Sequence, residues 1–465
     1  MKLENDLGRD RIKTLVLRLA VPSMLAQFVS VLYSIVDRMY IGNIPQVGEL
    51  ALAGVGVCGP IVTLISSFSA LAGFGGAPLL SIRMGEKNQR AASQVVANSF
   101  LMLTVLGVAL TALSFALKNH LLRWFGASEA IFPYGNRYIS IYLAGTVFAL
   151  FASGMNQFII CQGFAKVGMK SVMLGAVLNL VLDPIFIFAF HMGVAGAALA
   201  TVISQAASAL FVLGVLFGKK VPVKITFGGY SWGVCRQILK LGFSPFIIIA
   251  FDNILIITMN MVLQAYGGTA RGDMMVTCAT IMQSFMLMVT MPLGGITAGT
   301  QSILGYNYGA KHIKRVRQAE KEILKTAVAF TLIMMILAQT SGRYFALIFT
   351  RNPEYVAMSA KAIRISTLMI VPLAFQYTFV DGFTGMGIAG VALTLSFFRK
   401  ALFFLVVLIL PRWFGAEAVF WTEPVIDLTA AAVSTVFYLT YSGRILKKRL
   451  LQGKGDSVRT PLKAL

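Results

Sequence analysis

The sequence predicts an all-α membrane protein of twelve transmembrane helices arranged as two six-helix lobes. Hydrophobic residues make up 57% of the 465 residues and charged residues only 12%, whereas a soluble protein has about 25% charged residues. The mean hydropathy is +0.78. The chain also divides into about twelve apolar stretches, each long enough to cross a bilayer as a helix. These observations exclude a soluble enzyme.

The apolar stretches are separated by polar breaks or by breaks that contain Gly and Pro. Lys and Arg are concentrated in the alternate breaks that would share a side with the N-terminus. This asymmetry predicts that both termini are cytoplasmic in a bacterial inner membrane. The predicted spans are 14–40, 51–82, 92–116, 136–162, 170–190, 194–218, 237–265, 274–305, 324–341, 358–384, 389–411 and 417–443.

The two halves of the chain share sequence at a nearly constant offset. LRLAVPSM around Pro22 corresponds to LKLGFSPF around Pro245, and GEKNQRAASQ from Gly85 corresponds to GAKHIKRVRQ from Gly309. A duplication of six spans keeps both halves in the same orientation, so a pseudo-twofold axis along the membrane normal should relate them. The predicted units are a first lobe at 1–217, a cytoplasmic linker at 218–233, a second lobe at 234–445 and a basic tail at 446–465.

The net charge of +22 does not indicate nucleic-acid binding, because the basic residues lie in the breaks between apolar stretches. The four cysteines and three histidines have no spacing typical of a metal site or a disulfide framework. The sequence therefore predicts no cofactor. A membrane-embedded enzyme would need a nucleophile with its base or a metal constellation, and neither pattern occurs in the sequence.

Acidic residues within the apolar stretches are candidate functional residues. A charged Asp at the centre of a membrane helix costs about 2.5 to 3.5 kcal/mol on insertion scales, so such residues tend to face a cavity. The alternative is that an acid near a helix end has only a structural role at the headgroups, and this weighs most for the two second-lobe acids. The residues concerned are Asp37, Asp183, Asp252 and Asp381.

Polar residues of the first lobe are spaced to meet these acids. Gln27, Ser34 and Asp37 share one face of the first helix, and Tyr33 could stack on an organic cation. Asn179 lies one turn before Asp183 in the fifth span. Two further polar residues of the predicted cluster come from the sixth and fourth spans, Thr201 and Asn156.

Two carboxylates with amide and hydroxyl oxygens can hold either a proton or a sodium ion, and the sequence leaves this choice open. Pro22 predicts a bend in the first helix, or alternatively the start of that helix at the membrane surface. In the Met-rich eighth span Met282 and Met286 are predicted to line a substrate cavity, with packing against other helices as the alternative.

The sequence resembles the multidrug and toxic compound extrusion (MATE) family over roughly residues 10–445. The resemblance is carried by AVPSMLAQFVSVLYSIVDRMYIG from Ala20, GFAKVGMKSVMLGAVLNLVLDPIFIF from Gly163, GVAGAALATVISQ from Gly193 and GTQSILGYNYGA from Gly299. It implies a monomeric antiporter in the bilayer that exports amphipathic, often cationic compounds in exchange for protons or sodium. The family's coupling residues would correspond to Asp37, Asn179, Asp183 and Thr201, and its helix bend would fall near Pro22. The substrate cavity would be lined by Gln27, Tyr33, Ser34, Asn156, Met282 and Met286.

Some branches of the family have their cation site in the second lobe, and Asp252 and Asp381 are the acids that could correspond to it. The first lobe is favoured here. The main alternative is a lipid-linked oligosaccharide flippase of the same superfamily, which would need basic residues in its cavity to bind pyrophosphate. Arg38, Arg399 and Lys400 are the candidates for that role. A passive channel is less consistent with a buried pair of exchangeable acids.

Overall fold

The computed structural model describes residues 5–219 and 221–451, and over these residues the secondary structure is helical with connecting turns. In chain order the helices are α1 (Ile12–Gly42), α2 (Gly48–Gly85), α3 (Gln89–Trp124), α4 (Phe132–Ala144), α5 (Thr146–Leu150), α6 (Asn156–Ile160), α7 (Ala165–Pro184), α8 (Val194–Phe217), α9 (Trp232–Gly309), α10 (Ile313–Phe349), α11 (Pro353–Ser366), α12 (Ile370–Gly385), α13 (Ala389–Phe414) and α14 (Thr422–Leu451). Two short π-helical segments and one 3-10 segment connect some of them: Phe151–Met155, Ile185–Ala189 and Ala416–Trp421.

Within the described residues the helices provide up to twelve membrane spans, if each of two bent pairs counts as one span. Ten are long and apolar enough to cross a bilayer, and two bent pairs complete the set. The first pair joins Phe132–Ala144 to Thr146–Ile160 at 64°, and the second joins Pro353–Ser366 to Ile370–Gly385 at 50°. These pairs are the fourth and the tenth spans, so the bends occupy the same place in each half. The predicted fold of twelve helices in two like lobes is confirmed.

Two long helices differ from the simple prediction of one span per apolar stretch. Helix α9 contains both the seventh and the eighth spans, and Gly268 between them has a φ of 67°, a conformation that side chains other than glycine rarely adopt. Helix α10 begins at Ile313 instead of near residue 324. Its polar first turns simply continue the helix outside the apolar stretch, so hydropathy alone placed its start too late.

Two segments lie outside the predicted lobes. The chain between α8 and α9 returns to the first half, where Val223 N donates to Gln162 Oε1 at 2.7 Å. Residues 446–451 of the predicted tail continue α14, and the rest of that tail, 452–465, lies outside the described residues. The proposed division at 218–233 stays a prediction.

The two halves meet on the side where α1 begins and α14 ends, which we call the termini side. There the apolar core contains residues from both halves, such as Leu15 and Leu19 from α1 with Ile303 from α9. Toward the other side each half has a core of its own. Ile41 and Cys58 belong to a core of first-half residues, whereas a further core is built from the second half. The halves are therefore joined at one side and separate toward the other.

Glycines make the contact on the termini side very close. A Cβ atom added at Gly242 would lie 1.8 Å from the Leu71 carbonyl oxygen, and one at Gly75 would lie 2.4 Å from that of Ile238. Nearer the other end of α2, a Cβ at Gly56 would have no described atom within 4 Å. Backbones of α2 and α9 thus touch only because these positions have no side chain.

Polar contacts reinforce the same junction. Asn307 Nδ2, at the end of α9, donates to the Leu7 carbonyl at 2.9 Å. Arg315 Nη2 donates to the Asp10 carbonyl at 2.8 Å, so the N-terminal segment is held by the second half. Arg449 at the end of α14 also donates to Glu86 after α2, at 2.5 Å. These contacts fix the termini side in a closed arrangement.

Candidate functional site

Two acids from different helices of the first half contact each other. Asp37 in α1 and Asp183 in the last turn of α7 are within hydrogen-bonding reach of one another. Asn179 Nδ2, one turn earlier in α7, donates to Asp183 Oδ1 at 3.0 Å. Asp183 and Asn179 are only 1% and 3% exposed, and Asp37 is half-buried. The predicted meeting of these side chains is thus present in the structure.

One oxygen of each acid has no donor from the described part of the protein. These atoms, Asp37 Oδ1 and Asp183 Oδ2, are buried. Two carboxyl groups in contact repel each other if both are ionised, and either a shared proton or a cation between them removes that repulsion. The pair therefore has the chemistry to bind a proton or a hard cation such as sodium, and the carboxylate and amide oxygens suit both.

Tyrosine side chains lie near the acid pair. Tyr33 of α1 lies close enough to Asp37 and Asp183 for their charges to act on its hydroxyl, and Tyr142 of α4 is a further neighbour. A tyrosine presents an apolar ring and a polar tip, so it can contact both a flat organic molecule and the acids. Tyr33 therefore lies near the acid pair, and its role in the substrate cavity stays a prediction.

Thr201 joins the site through a second tyrosine. Its hydroxyl donates to the Ala197 carbonyl at 3.0 Å and also contacts Tyr138. Tyr138 in turn has Asp37 as a charged neighbour. Because Thr201 already donates within its own helix, its oxygen remains an acceptor toward the site.

Three predicted site residues are not brought to the acid pair. Asn156 Nδ2 donates to the Gly168 carbonyl at 3.3 Å, and Gly168 is fifteen residues before Asp183, about 22 Å along α7. Met282 and Met286 are buried in the core of the second half, where Ser366 Oγ is 2.6 Å from the Met282 sulfur. The structure thus favours the packing alternative for both methionines and corrects their placement on a cavity wall.

The remaining first-helix residues lie along α1 at increasing distance from Asp37. Ser34 is exposed. Gln27 packs against the second half, since a Cβ at Gly295 would lie 3.0 Å from its Cγ. Pro22 is ten residues inside α1, so it does not start the helix, and its ring leaves the Arg18 carbonyl without the usual backbone donor. Its role as a bend stays a prediction.

The second-half acids have partners within their own half. Asp252 forms an ion pair with Lys400 of α13. Asp381 Oδ2 accepts a hydrogen bond from Thr297 Oγ1 at 2.5 Å. Both acids are charged neighbours of Tyr377. Asp252 is thus paired directly with a cation of its own half.

Sequence reasoning missed several polar residues within the spans. Asp427 in α14 is fully buried and accepts a hydrogen bond from Arg399 at 2.7 Å. It lies within an apolar stretch, so the criterion that selected Asp37 would also have selected Asp427. Glu320 of α10 is buried against Tyr438. It was missed because the predicted ninth span starts only at residue 324. Tyr138 and Tyr142 stand one turn apart in the fourth span, a spacing that could have signalled a common face.

Comparisons with known proteins match this architecture over nearly the whole chain. A family model described as MatE matches residues 22–185 and again residues 249–410, once in each half. Multidrug export protein MepA of Staphylococcus haemolyticus (strain JCSC1435) is 22% identical over 444 residues, which cover 94% of this chain and 95% of that protein. Probable multidrug resistance protein YpnP of Bacillus subtilis (strain 168) is 27% identical over 372 residues, 79% of this chain and 80% of that protein.

A solved structure has the same fold. It is described as the outward-facing conformation of a multidrug resistance MATE family transporter, and it matches with a TM-score of 0.88 and 25% identity, over 95% of this chain and 98% of that one.

Twelve helices in two like halves that separate toward one side of the membrane define a multi-pass membrane transporter. The two family matches and the relatives make the class specific. The chain belongs to the MATE family of multidrug efflux transporters, so the resemblance seen in the sequence is confirmed.

Proposed function

We propose that the protein is a secondary active antiporter that exports amphipathic, cationic compounds in exchange for protons or sodium. The observation that carries the proposal is the contact between Asp37 and Asp183, each with a buried oxygen that has no donor from the described residues. Such a pair binds either an inorganic cation or, beside Tyr33, an organic one. Because the two cations compete for the same acids, binding of the coupling ion favours release of the exported compound. The protein acts as a monomer with both termini in the cytoplasm.

The arrangement of the halves supports alternating access. The contacts at Gly75, Gly242 and Gly309 close the termini side, and the acid pair lies in the part of the first half that has its own core. Asp37 is five residues from the end of α1, about 8 Å. In this state the acid pair faces the side away from the termini, where a coupling cation would enter and a drug would leave.

The membrane potential can drive export of a neutral substrate, whereas one-for-one exchange of a monovalent cationic substrate moves no net charge and is driven by the concentration gradient of the coupling ion. One proton that enters down a potential of 100 mV supplies about 2.3 kcal/mol. Because about 1.4 kcal/mol corresponds to a tenfold ratio, this energy supports a gradient of roughly fiftyfold for a neutral substrate. No nucleotide is required for a gradient of this size.

The basic residues of the second half weigh against the flippase alternative. A flippase needs cationic side chains that can bind pyrophosphate. Here Lys400 is paired with Asp252, and Arg399 is paired with both Asp427 and Glu423. These cations are neutralised within the protein, so they do not present a positive surface to a phosphate.

The proposal is tested by ethidium transport in proteoliposomes that contain the purified protein. A proton gradient and a sodium gradient are imposed in separate experiments, so that the active gradient identifies the coupling ion. Asp183→Asn and Asp37→Asn should each abolish gradient-driven transport while the proteins still elute as folded species in gel filtration. Glu417→Gln is the matched control, because Glu417 is an exposed acid and its loss should leave transport intact.

Two results would refute this assignment. Gradient-driven transport at normal rates by Asp183→Asn would remove the acid pair from the mechanism. Transport that is lost in Asp381→Asn but kept in Asp37→Asn would instead assign coupling to the second half. If neither gradient moves ethidium, movement of a labelled lipid-linked sugar would favour the flippase.

A further inference from the structure

A connecting segment, residues 221–231, leads from α8 to α9 at the termini side, and its first part packs into the first half. Val221, Val223 and Ile225 are at most 5% exposed, and they belong to an apolar core built mainly from first-half residues. Burial of every second residue is the pattern of an extended chain with one face against protein. Gln89 Nε2, at the start of α3, also donates to the Pro222 carbonyl at 3.0 Å. This part of the segment is therefore fixed to the first half.

The second part of the connecting segment leads to exposed aromatic side chains. Phe227, Tyr230 and Trp232, the first residue of α9, are 75%, 49% and 75% exposed. Gly228 and Gly229 have φ values of 100° and 68°, a conformation that residues other than glycine rarely adopt. The two glycines thus form the turn between the first exposed ring and the other two.

Asn98 of α3 holds the backbone after this turn. Its Nδ2 donates to the Gly229 carbonyl at 3.3 Å, and its Oδ1 accepts a hydrogen bond from the Ser231 N–H at 3.0 Å. Asn98 is itself fully buried. The rings of Tyr230 and Trp232 therefore project from a backbone that is held in place.

Phe227 lies at the edge of the surface that α3 and α8 present to the bilayer. Its ring stacks on Phe217, the last residue of α8, with centroids 5.9 Å apart, and it meets Phe100 of α3 edge-on at 6.3 Å. Beyond Phe100, α3 exposes aliphatic side chains such as Val105 and Val108, which are 58% and 60% exposed. Exposed aliphatic side chains in the middle of a membrane helix contact acyl chains. The Phe227 ring is therefore continuous with the lipid-facing surface of the protein.

We propose that the connecting segment is an interfacial membrane anchor, with the rings of Phe227, Tyr230 and Trp232 among the headgroups and upper acyl chains of the leaflet on the termini side. Tyrosine and tryptophan combine an apolar ring with a polar tip, and they concentrate at this depth of a bilayer. In water the same three rings would leave a large apolar area unburied. The bilayer is favoured over a soluble protein as the partner, because the rings continue a surface that already contacts lipid.

The test is quenching of tryptophan fluorescence in proteoliposomes of phosphatidylcholine with bromine atoms at carbons 6 and 7 of one acyl chain. In Trp124→Phe/Trp413→Phe/Trp421→Phe, Trp232 is the one tryptophan that remains. It should lose most of its emission in the brominated lipid, whereas iodide added on both sides of the membrane should quench it only weakly. Adding Phe227→Trp and Trp232→Phe to this background should give quenching by the brominated lipid that is at least as strong, because Phe227 lies beside the apolar part of α3.

A control variant places a tryptophan on the same side of the protein but away from the bilayer. Lys314 is exposed in the first turn of α10, ten residues before the predicted apolar stretch of that helix, about 15 Å. Lys314→Trp/Trp232→Phe in the same background should be quenched by iodide and hardly by the brominated lipid.

Two results would overturn the proposal. If Trp232 is quenched by iodide as strongly as the control and is unaffected by the brominated lipid, the rings lie in water. If Trp232 and the tryptophan of Phe227→Trp are both protected from iodide and from the brominated lipid, protein covers the rings instead of lipid. The assay does not depend on transport, so its outcome leaves the antiport proposal unaffected.

Discussion

The ion pair between Arg399 and Asp427 should be the most sensitive electrostatic contact in the second half. Asp427 is fully buried, the Arg399 side chain is 16% exposed, and the two approach to 2.7 Å. Asp427→Asn removes the main partner of a buried guanidinium, which is expected to destabilise the protein by about 3 to 5 kcal/mol. Glu423, 3.3 Å from Arg399 and 23% exposed, offsets only part of that loss.

A second ion pair in the same half provides the comparison. Lys361 and Glu417 also approach to 2.7 Å, but their side chains are 57% and 44% exposed. Because water screens this pair, Glu417→Gln should cost about 0.2 to 1 kcal/mol. The distance between the charged atoms is the same in the two pairs, so we attribute most of the expected difference in stability to burial.

Unfolding in mixed micelles, titrated with a denaturing detergent, measures both free energies of unfolding. The double variant Arg399→Met/Asp427→Leu should be more stable than Asp427→Asn, since it leaves no buried guanidinium without its main partner. Glu423 loses Arg399 in this variant, but its side chain is 23% exposed to water. The reasoning is wrong if Asp427→Asn and Glu417→Gln lower stability equally, or if the double variant is less stable than Asp427→Asn.

Two further predictions concern the closed termini side. Gly242→Ala should destabilise the protein by about 1 to 3 kcal/mol, because the new methyl group would lie 1.8 Å from the Leu71 carbonyl oxygen, whereas Gly56→Ala has open space; equal unfolding midpoints for the two variants would contradict the close helix contact. Burial alone would raise the pKa of Glu86, but hydrogen bonds from Arg449 and Arg83 hold it below its usual value of 4.5. The stability that Glu86 contributes is therefore complete above about pH 4.5 and lost as the pH falls further. The difference in stability between the unmodified protein and Glu86→Gln, followed by unfolding titrations, should be constant from neutral to mildly acidic pH and shrink at lower pH; a difference that grows on acidification would contradict this.

The fold could be predicted because hydropathy and the repeat act over whole helices. Twenty apolar residues in sequence have few alternatives to a membrane helix, so the number of spans follows from the pattern of apolar stretches along the chain. The ends of the helices could not be read in the same way. The polar turns at the start of α10 are as helical as its apolar part, because backbone hydrogen bonds continue beyond the bilayer.

The contact between Asp37 and Asp183 could be anticipated because an acid in an apolar helix must face protein or water. The rule does not say which of several polar residues meet. Asn156 belongs to the same half but contacts the first part of α7, whereas Asp183 lies in its last turn. The distance between Asn156 and the acid pair depends on where the bent fourth span crosses α7. Met282 follows the packing of the second-half core, for which the composition of one helix gives no signal.

We expect an inorganic cation and the exported compound to compete for the Asp37–Asp183 pair. Ethidium binding to the purified protein is measured in weakly buffered detergent solution, with and without sodium, while a pH indicator follows proton release. Ethidium should release a proton, or should bind more weakly as sodium is added, and Asp183→Asn should show neither effect. Ethidium binding that releases no proton and does not depend on sodium, or an unchanged response in Asp183→Asn, would contradict the account.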